Sequence, residues 1–82
     1  MSNKNILYDF WRYVERQDTK IAKKVYDWLD KDNLASIIVS NDVYWLEFTT
    51  SRTVIPGYVF NYIKNWCKKQ GYEYLYFKYP VK

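Results

Sequence analysis

Histidine is absent from this 82-residue chain, which removes the commonest general base and metal ligand. Ser-His-Asp and Cys-His arrangements are excluded, and so is any imidazole-held metal. A single cysteine, Cys67, cannot assemble a zinc or iron–sulfur site, and two glycines, Gly57 and Gly71, cannot build a phosphate-cradling loop. Carboxylates remain. Asp27, Asp30 and Asp32 lie close together, but the run Asp30-Lys31-Asp32-Asn33-Leu34-Ala35 lacks the glycine and later glutamate of a calcium loop. It reads as the solvated end of a helix. A nuclease centre needs carboxylates converging from separate strands, and only Asp42, Glu47 and Glu73 lie on or near strand-like segments. No enzyme, no cofactor and no metal is expected.

Two other groupings have the spacing of binding surfaces. Lys64, Lys68 and Lys69 share the polar side of a helical segment with Asn61 and Asn65. Such a face reaches phosphates and sets affinity rather than sequence choice; its plain alternative is a solubilising surface. Arg52 precedes that segment and Lys78 follows it. The second grouping is the aromatic run GYEYLYFKYP at 71–80. Side chains alternate along a strand, so Glu73, Leu75, Phe77 and Tyr79 point one way and Tyr72, Tyr74, Tyr76 and Lys78 the other. Leu75 and Phe77 make the stronger core pair. Tyr74 and Tyr76 then share a sheet face with Trp45 and Ile38. Aromatics on a sheet stack nucleobases at about 1–3 kcal/mol each, or anchor a protein interface. The glycine-and-aromatic pattern of RNA-recognition strands is missing. The competing account is interior packing, with helices covering that face.

These side chains need elements to hold them. Residues 5–16 read as an amphipathic helix, with Ile6, Leu7, Phe10, Trp11, Tyr13 and Val14 on one side and Asp9, Arg12, Glu15 and Arg16 on the other. The stripe breaks at 17–19, where Asp18 or Thr19 suits an N-cap. A second helix over 19–31 then turns Ile21, Ala22, Val25, Trp28 and Leu29 inward. One long bent helix is the alternative, because neither Gly nor Pro separates the two. ASIIVSNDVYWLEFTT reads as a β-hairpin about a type I′ turn at Asn41-Asp42. That register pairs Ser40 with Val43, Val39 with Tyr44, Ile37 with Leu46 and Ala35 with Phe48. A third helix spans 54–69, with Thr53 as cap, Pro56 in the first turn and Gly71 as C-terminal stop. Residues 72–79 form the last strand.

The expected fold is therefore α+β, a single small domain over 1–82 in the order ααββαβ. Its three-stranded mixed sheet joins the hairpin to a split βαβ unit. In that arrangement the last strand runs parallel to strand 43–49 and lies beside strand 35–40. The first two helices either share the third helix's layer or cover the opposite sheet face.

Size allows such a core. A 10.1 kDa chain folds to about 5,300 Å² of surface from about 14,600 Å², burying roughly 64%. The N-terminus has no long apolar run, so neither a signal peptide nor a membrane span is read, and the lone cysteine suits a reducing compartment, the cytoplasm. Charge is uneven. Residues 1–50 hold seven Lys/Arg against eight Asp/Glu, and residues 51–82 hold six against one. A basic last third suits an acidic partner, whether nucleic acid or a protein face.

Phe, Tyr, Met, Ile, Asn and Lys supply 37 residues, whereas Gly, Ala, Arg and Pro supply nine. The first set uses AT-rich codons, which suits a low-GC bacterium, its phage or its mobile elements. The expectation is a small phage or mobile-element accessory factor, anti-CRISPR-like in style though not in any motif. It would inhibit or modulate a host nucleic-acid-processing or defence protein by direct contact, as monomer or homodimer and without a membrane. The alternative is a single-stranded nucleic-acid-binding module. The residues expected to bind are Trp45, Tyr74, Tyr76, Lys64, Lys68, Lys69, Lys78 and Arg52.

Overall fold

The structure is a computed structural model describing residues 3–31, 33–50, 52–72 and 74–76, the last three by backbone alone. The chain opens on a short strand, β1 (Lys4–Asn5), followed by α1 (Leu7–Arg16), α2 (Lys20–Asp30), β2 (Leu34–Ser40), β3 (Val43–Phe48), α3 (Gly57–Lys69) and β4 (Tyr74–Tyr76). It is an α+β fold: three helices on an antiparallel three-stranded sheet, with β4 added at one edge.

The first helix starts later than its apolar pattern suggests. Asn5 is the reason. Its Oδ1 accepts from the Leu7 N–H at 3.0 Å and from the Ile37 N–H at 3.2 Å. The Ile6 N–H donates to the Ile37 carbonyl at 2.8 Å. Residues 4–5 are thereby held as an edge strand on β2, Asn5 opposite Ile38, and the first free N–H of α1 is capped from two residues back. Gln17 is extended (ψ 124°), so the helical region is two helices and not one bent rod. Thr19 caps α2, its hydroxyl accepting from the Ala22 N–H at 3.1 Å. Within α2, Ala22, Val25 and Leu29 are buried, but Ile21 is 40% exposed, contrary to its expected inward placement. It lies one residue outside the i, i+3, i+7 stripe that those three define.

Asn41 and Asp42 have φ of 51° and 65°, the signature of the type I′ turn. The register runs Ser40–Val43, Val39–Tyr44, Ile38–Trp45 and Ile37–Leu46, as the turn dictates. It then slips. Phe48 pairs with Leu34, not Ala35, because a bulge between Leu34 and Ser36 lies opposite Glu47–Phe48. The bulge turns Leu34 into the core and leaves Ala35 exposed, which places the larger apolar side chain inside.

The third helix starts at Gly57 with Pro56 as its N-cap residue; Thr53 instead donates its N–H to the Thr50 carbonyl at 3.2 Å in the preceding turn. Proline at 56 offers no N–H and sits extended (ψ 148°), so the expected extra turn from 54 does not form. The far end closes as a Schellman motif. The Tyr72 N–H donates to the Cys67 carbonyl at 3.0 Å and the Gly71 N–H to the Lys68 carbonyl at 3.1 Å, with Gly71 at φ 94°.

The sheet order is β1-β2-β3-β4. The last strand runs parallel beside β3, with Val43 opposite Tyr74, Tyr44 opposite Leu75 and Trp45 opposite Tyr76. The expected split βαβ is therefore corrected: β1 occupies the β2 edge that the last strand would have needed. Buried residues alternate along the hairpin, Ile37 and Val39 with Tyr44, Leu46 and Phe48. They form one cluster with Phe10 and Val14 of α1, Ala22, Val25 and Leu29 of α2, and Val59, Ile63, Trp66 and Cys67 of α3. All three helices thus lie on the same side of the sheet.

Candidate functional site: the uncovered sheet face and the basic helix

The one-sided placement of the helices decides what the other sheet face is. Trp45, Ile38, Val43, Ser36 and Ser40 are partly exposed there and Glu47 is exposed; among the described residues no helix covers them. The backbone register aligns Asn5, Ile38, Trp45 and Tyr76 across all four strands. Trp45 is oriented by its neighbour two residues on, Nε1 donating to Glu47 Oε1 at 3.3 Å. Beside it, Asn5 Nδ2 donates to Ser36 Oγ at 3.3 Å. The result is an amphipathic strip: one large ring and two aliphatic side chains, rimmed by hydroxyls and a carboxylate.

Tyr74 and Tyr76 enter this face by backbone register alone, and Lys78 lies outside the described residues. The remaining expected binders are elsewhere. Lys64, Lys68 and Lys69 are exposed on α3, and Arg52 is exposed in the turn before it. The helix is on the covered side of the sheet, so its lysines and Trp45 occupy opposite layers. The sequence suggests one surface of aromatics and lysines; the fold makes two. Ion pairs among the described residues are Lys23–Asp18 at 3.4 Å and Lys31–Asp27 at 3.2 Å. Both are exposed and contribute little. Among the described residues, Lys64, Lys68, Lys69 and Arg52 form none.

A third feature was not legible from periodicity. Between α1 and α3 the rings of Phe10, Tyr13, Tyr62 and Trp66 pack at centroid distances of 5.1–6.1 Å. Burial raises the Tyr62 phenol above its ordinary range, and the adjoining Tyr13 hydroxyl adds to the effect. Two clefts open beside this cluster. One, of about 420 Å³, runs between the helices past Arg12, Arg16 and Gln70. The other, of about 320 Å³, lies at the α1–α2 turn against Val14, Ala22 and Tyr26. In sequence, Val14 and Ala22 read as a core face and Arg12 and Arg16 as a charged outer face, with nothing to show that they adjoin a cavity.

Among the described residues no three His, Cys, Asp or Glu side chains gather as a metal site. No helix among them is long and apolar enough to cross a membrane. Cys67 is buried, and burial pushes its thiol up to about 12, the reverse of an activated nucleophile. No protein-family model, no curated protein and no solved structure matches the chain.

Proposed function

We propose that this chain is a non-catalytic binding protein that acts by contact with another protein through the sheet face bearing Trp45. The observation that supports the reading is the asymmetry of the sheet, three helices on one face and a tryptophan with two aliphatic residues on the other. Aromatic anchors ringed by polar groups are the usual centre of an interface. The proposed partner is a host nucleic-acid-processing or defence protein. The chain would be a cytoplasmic phage or mobile-element accessory factor of anti-CRISPR style, occluding a site on that partner. Small size, absence of histidine and AT-rich residue usage support this.

Co-purification from a native host supplies candidate partners, and binding is then rebuilt from purified components. Trp45→Glu and Ile38→Glu are each expected to abolish the rebuilt complex while the thermal midpoint moves by no more than a few degrees. A complex that survives both substitutions rules out this face. Sedimentation of the free protein covers the other occupant: a Trp45-dependent dimer would replace the reading by self-association.

Single-stranded nucleic-acid binding is the second reading, and Lys64, Lys68 and Lys69, exposed and without ion pairs among the described residues, favour it. Separation of those lysines from Trp45 confines it to phosphate contact along α3. Neutralising about three phosphates gives a log–log salt slope of about −2. Lys64→Glu with Lys68→Glu should abolish an oligonucleotide mobility shift at low salt. No shift at micromolar wild-type protein ends this reading.

A further inference from the structure

The cleft between α1 and α3 has features that packing does not explain. Arg12 and Arg16 stand on its α1 rim one turn apart, and Trp66 and Gln70 line its α3 side. Tyr13 lies between, its ring centroid 6.0 Å from that of Trp66 and tilted by 34°. Two cations at i and i+4 repel, and such a pair disfavours its helix. No carboxylate relieves it: neither guanidinium belongs to an ion pair among the described residues. Asp9 also lines the cleft without pairing to Arg12, which instead lies 5.6 Å over the exposed Tyr8 ring. The volume of about 420 Å³ falls within the range of small-ligand sites. A smaller neighbouring cleft of about 160 Å³ shares Asp9, Trp66 and Gln70 with it and reaches Lys4.

We propose that this cleft binds a nucleoside phosphate, either free or as the terminal unit of a strand. Planar guanidinium forks match a phosphate bidentately. The partly exposed Tyr13 ring, backed by the buried Trp66, offers a nucleobase a stacking surface. Asp9 accepts from ribose hydroxyls, and the Gln70 amide both donates and accepts at a base edge. A bare anion would leave the Tyr13 ring unused; an apolar ligand would leave two guanidiniums desolvated without partners. The site lies on the layer opposite Trp45, so it stands or falls independently of the sheet-face interface.

Calorimetric titration at fixed ionic strength tests it. The probes are AMP, CMP, ribose 5-phosphate, inorganic phosphate and a pentanucleotide with and without its 5′-phosphate. A nucleoside monophosphate or the 5′-phosphorylated strand should bind at least about tenfold tighter than inorganic phosphate. Arg12→Gln and Arg16→Gln should each weaken it about tenfold. The double variant should lose binding while its thermal midpoint holds or rises, since the like-charge pair is gone. Tyr13→Leu should remove the preference for nucleotide over ribose 5-phosphate. Stronger binding of the phosphorylated strand than of the monophosphate identifies a strand end, and the reverse order a free nucleotide. Millimolar nucleotide without a signal, phosphate equal to nucleotide, or binding retained in the double arginine variant overturns the proposal.

Discussion

The hydroxyl of Tyr44 on β3 and the thiol of Cys67 on α3 lie close enough in the core to shift one another's titration, yet the buried hydroxyl makes no hydrogen bond of good geometry. A buried donor left unpaired costs about 1–3 kcal/mol. The ring itself is fully enclosed and well used. Tyr44→Phe keeps that packing and removes the orphan group, so it should stabilise the fold by about 1 kcal/mol. For a domain of this size that raises the thermal midpoint by about 4–8 °C. A lower midpoint in the variant would mean that the hydroxyl has a partner after all.

The same pair makes stability fall at alkaline pH. Desolvation pushes the Cys67 thiol up to about 12, partly offset by the Tyr44 hydroxyl; it also raises the Tyr44 phenol, with Cys67 adding to the rise. In the unfolded chain the thiol ionises near ~8.5 and the phenol near ~10. Between the unfolded and folded values the unfolded chain holds fewer protons than the native one, so stability declines as pH rises. It is whole below about pH 8.5 and falls from there. Cys67→Ala should move the onset to about pH 10, where Tyr44 takes over. Urea midpoints from pH 7 to 10.5 read this directly, and an unchanged onset in the variant contradicts it.

Asn5 joins the first helix to the sheet through one oxygen that takes two backbone N–H groups. Removing it leaves a helix cap and a strand N–H unmatched, so Asn5→Ala should cost about 1–2 kcal/mol. Asn5→Asp keeps the acceptor and should recover most of that loss. Equal destabilisation by Ala and Asp, in urea denaturation, would show that the amide's donation to Ser36 matters more.

What could be read beforehand was local. The turn at Asn41-Asp42, the cap at Thr19 and the stop at Gly71 each follow from one residue's backbone preference, and the hairpin register follows from the turn. What escaped depended on distant partners. β1 exists because Asn5 meets Ile37, 32 residues away; within residues 5–16 alone, the apolar spacing favours helix. Leu34 displaces Ala35 from the core only once Phe48 is opposite. The basic helix and Trp45 each carry a legible binding signal, but their separation onto opposite layers rests on where α1 and α2 pack. Hydropathy allows those helices on either face. Arg12 and Arg16 likewise read as an ordinary solvated face until α3 supplies the second wall of their cleft.

Tyr44, Trp45 and Leu46 are consecutive, and the sheet sends Trp45 alone to the uncovered face. Side-chain size and burial then predict opposite ranks. Leu46 is fully enclosed, and Leu46→Ala should cost about 2–5 kcal/mol through lost transfer energy and a cavity. Trp45→Thr removes a far larger side chain but opens no cavity, because solvent reaches the ring, and threonine suits a strand. It should cost less than about 1 kcal/mol, most of it from contact with Ile38 across the pair. Urea denaturation of the two variants compares them directly. A Trp45→Thr loss as large as that of Leu46→Ala would mean that the face is covered, and would remove the basis for treating it as an interface.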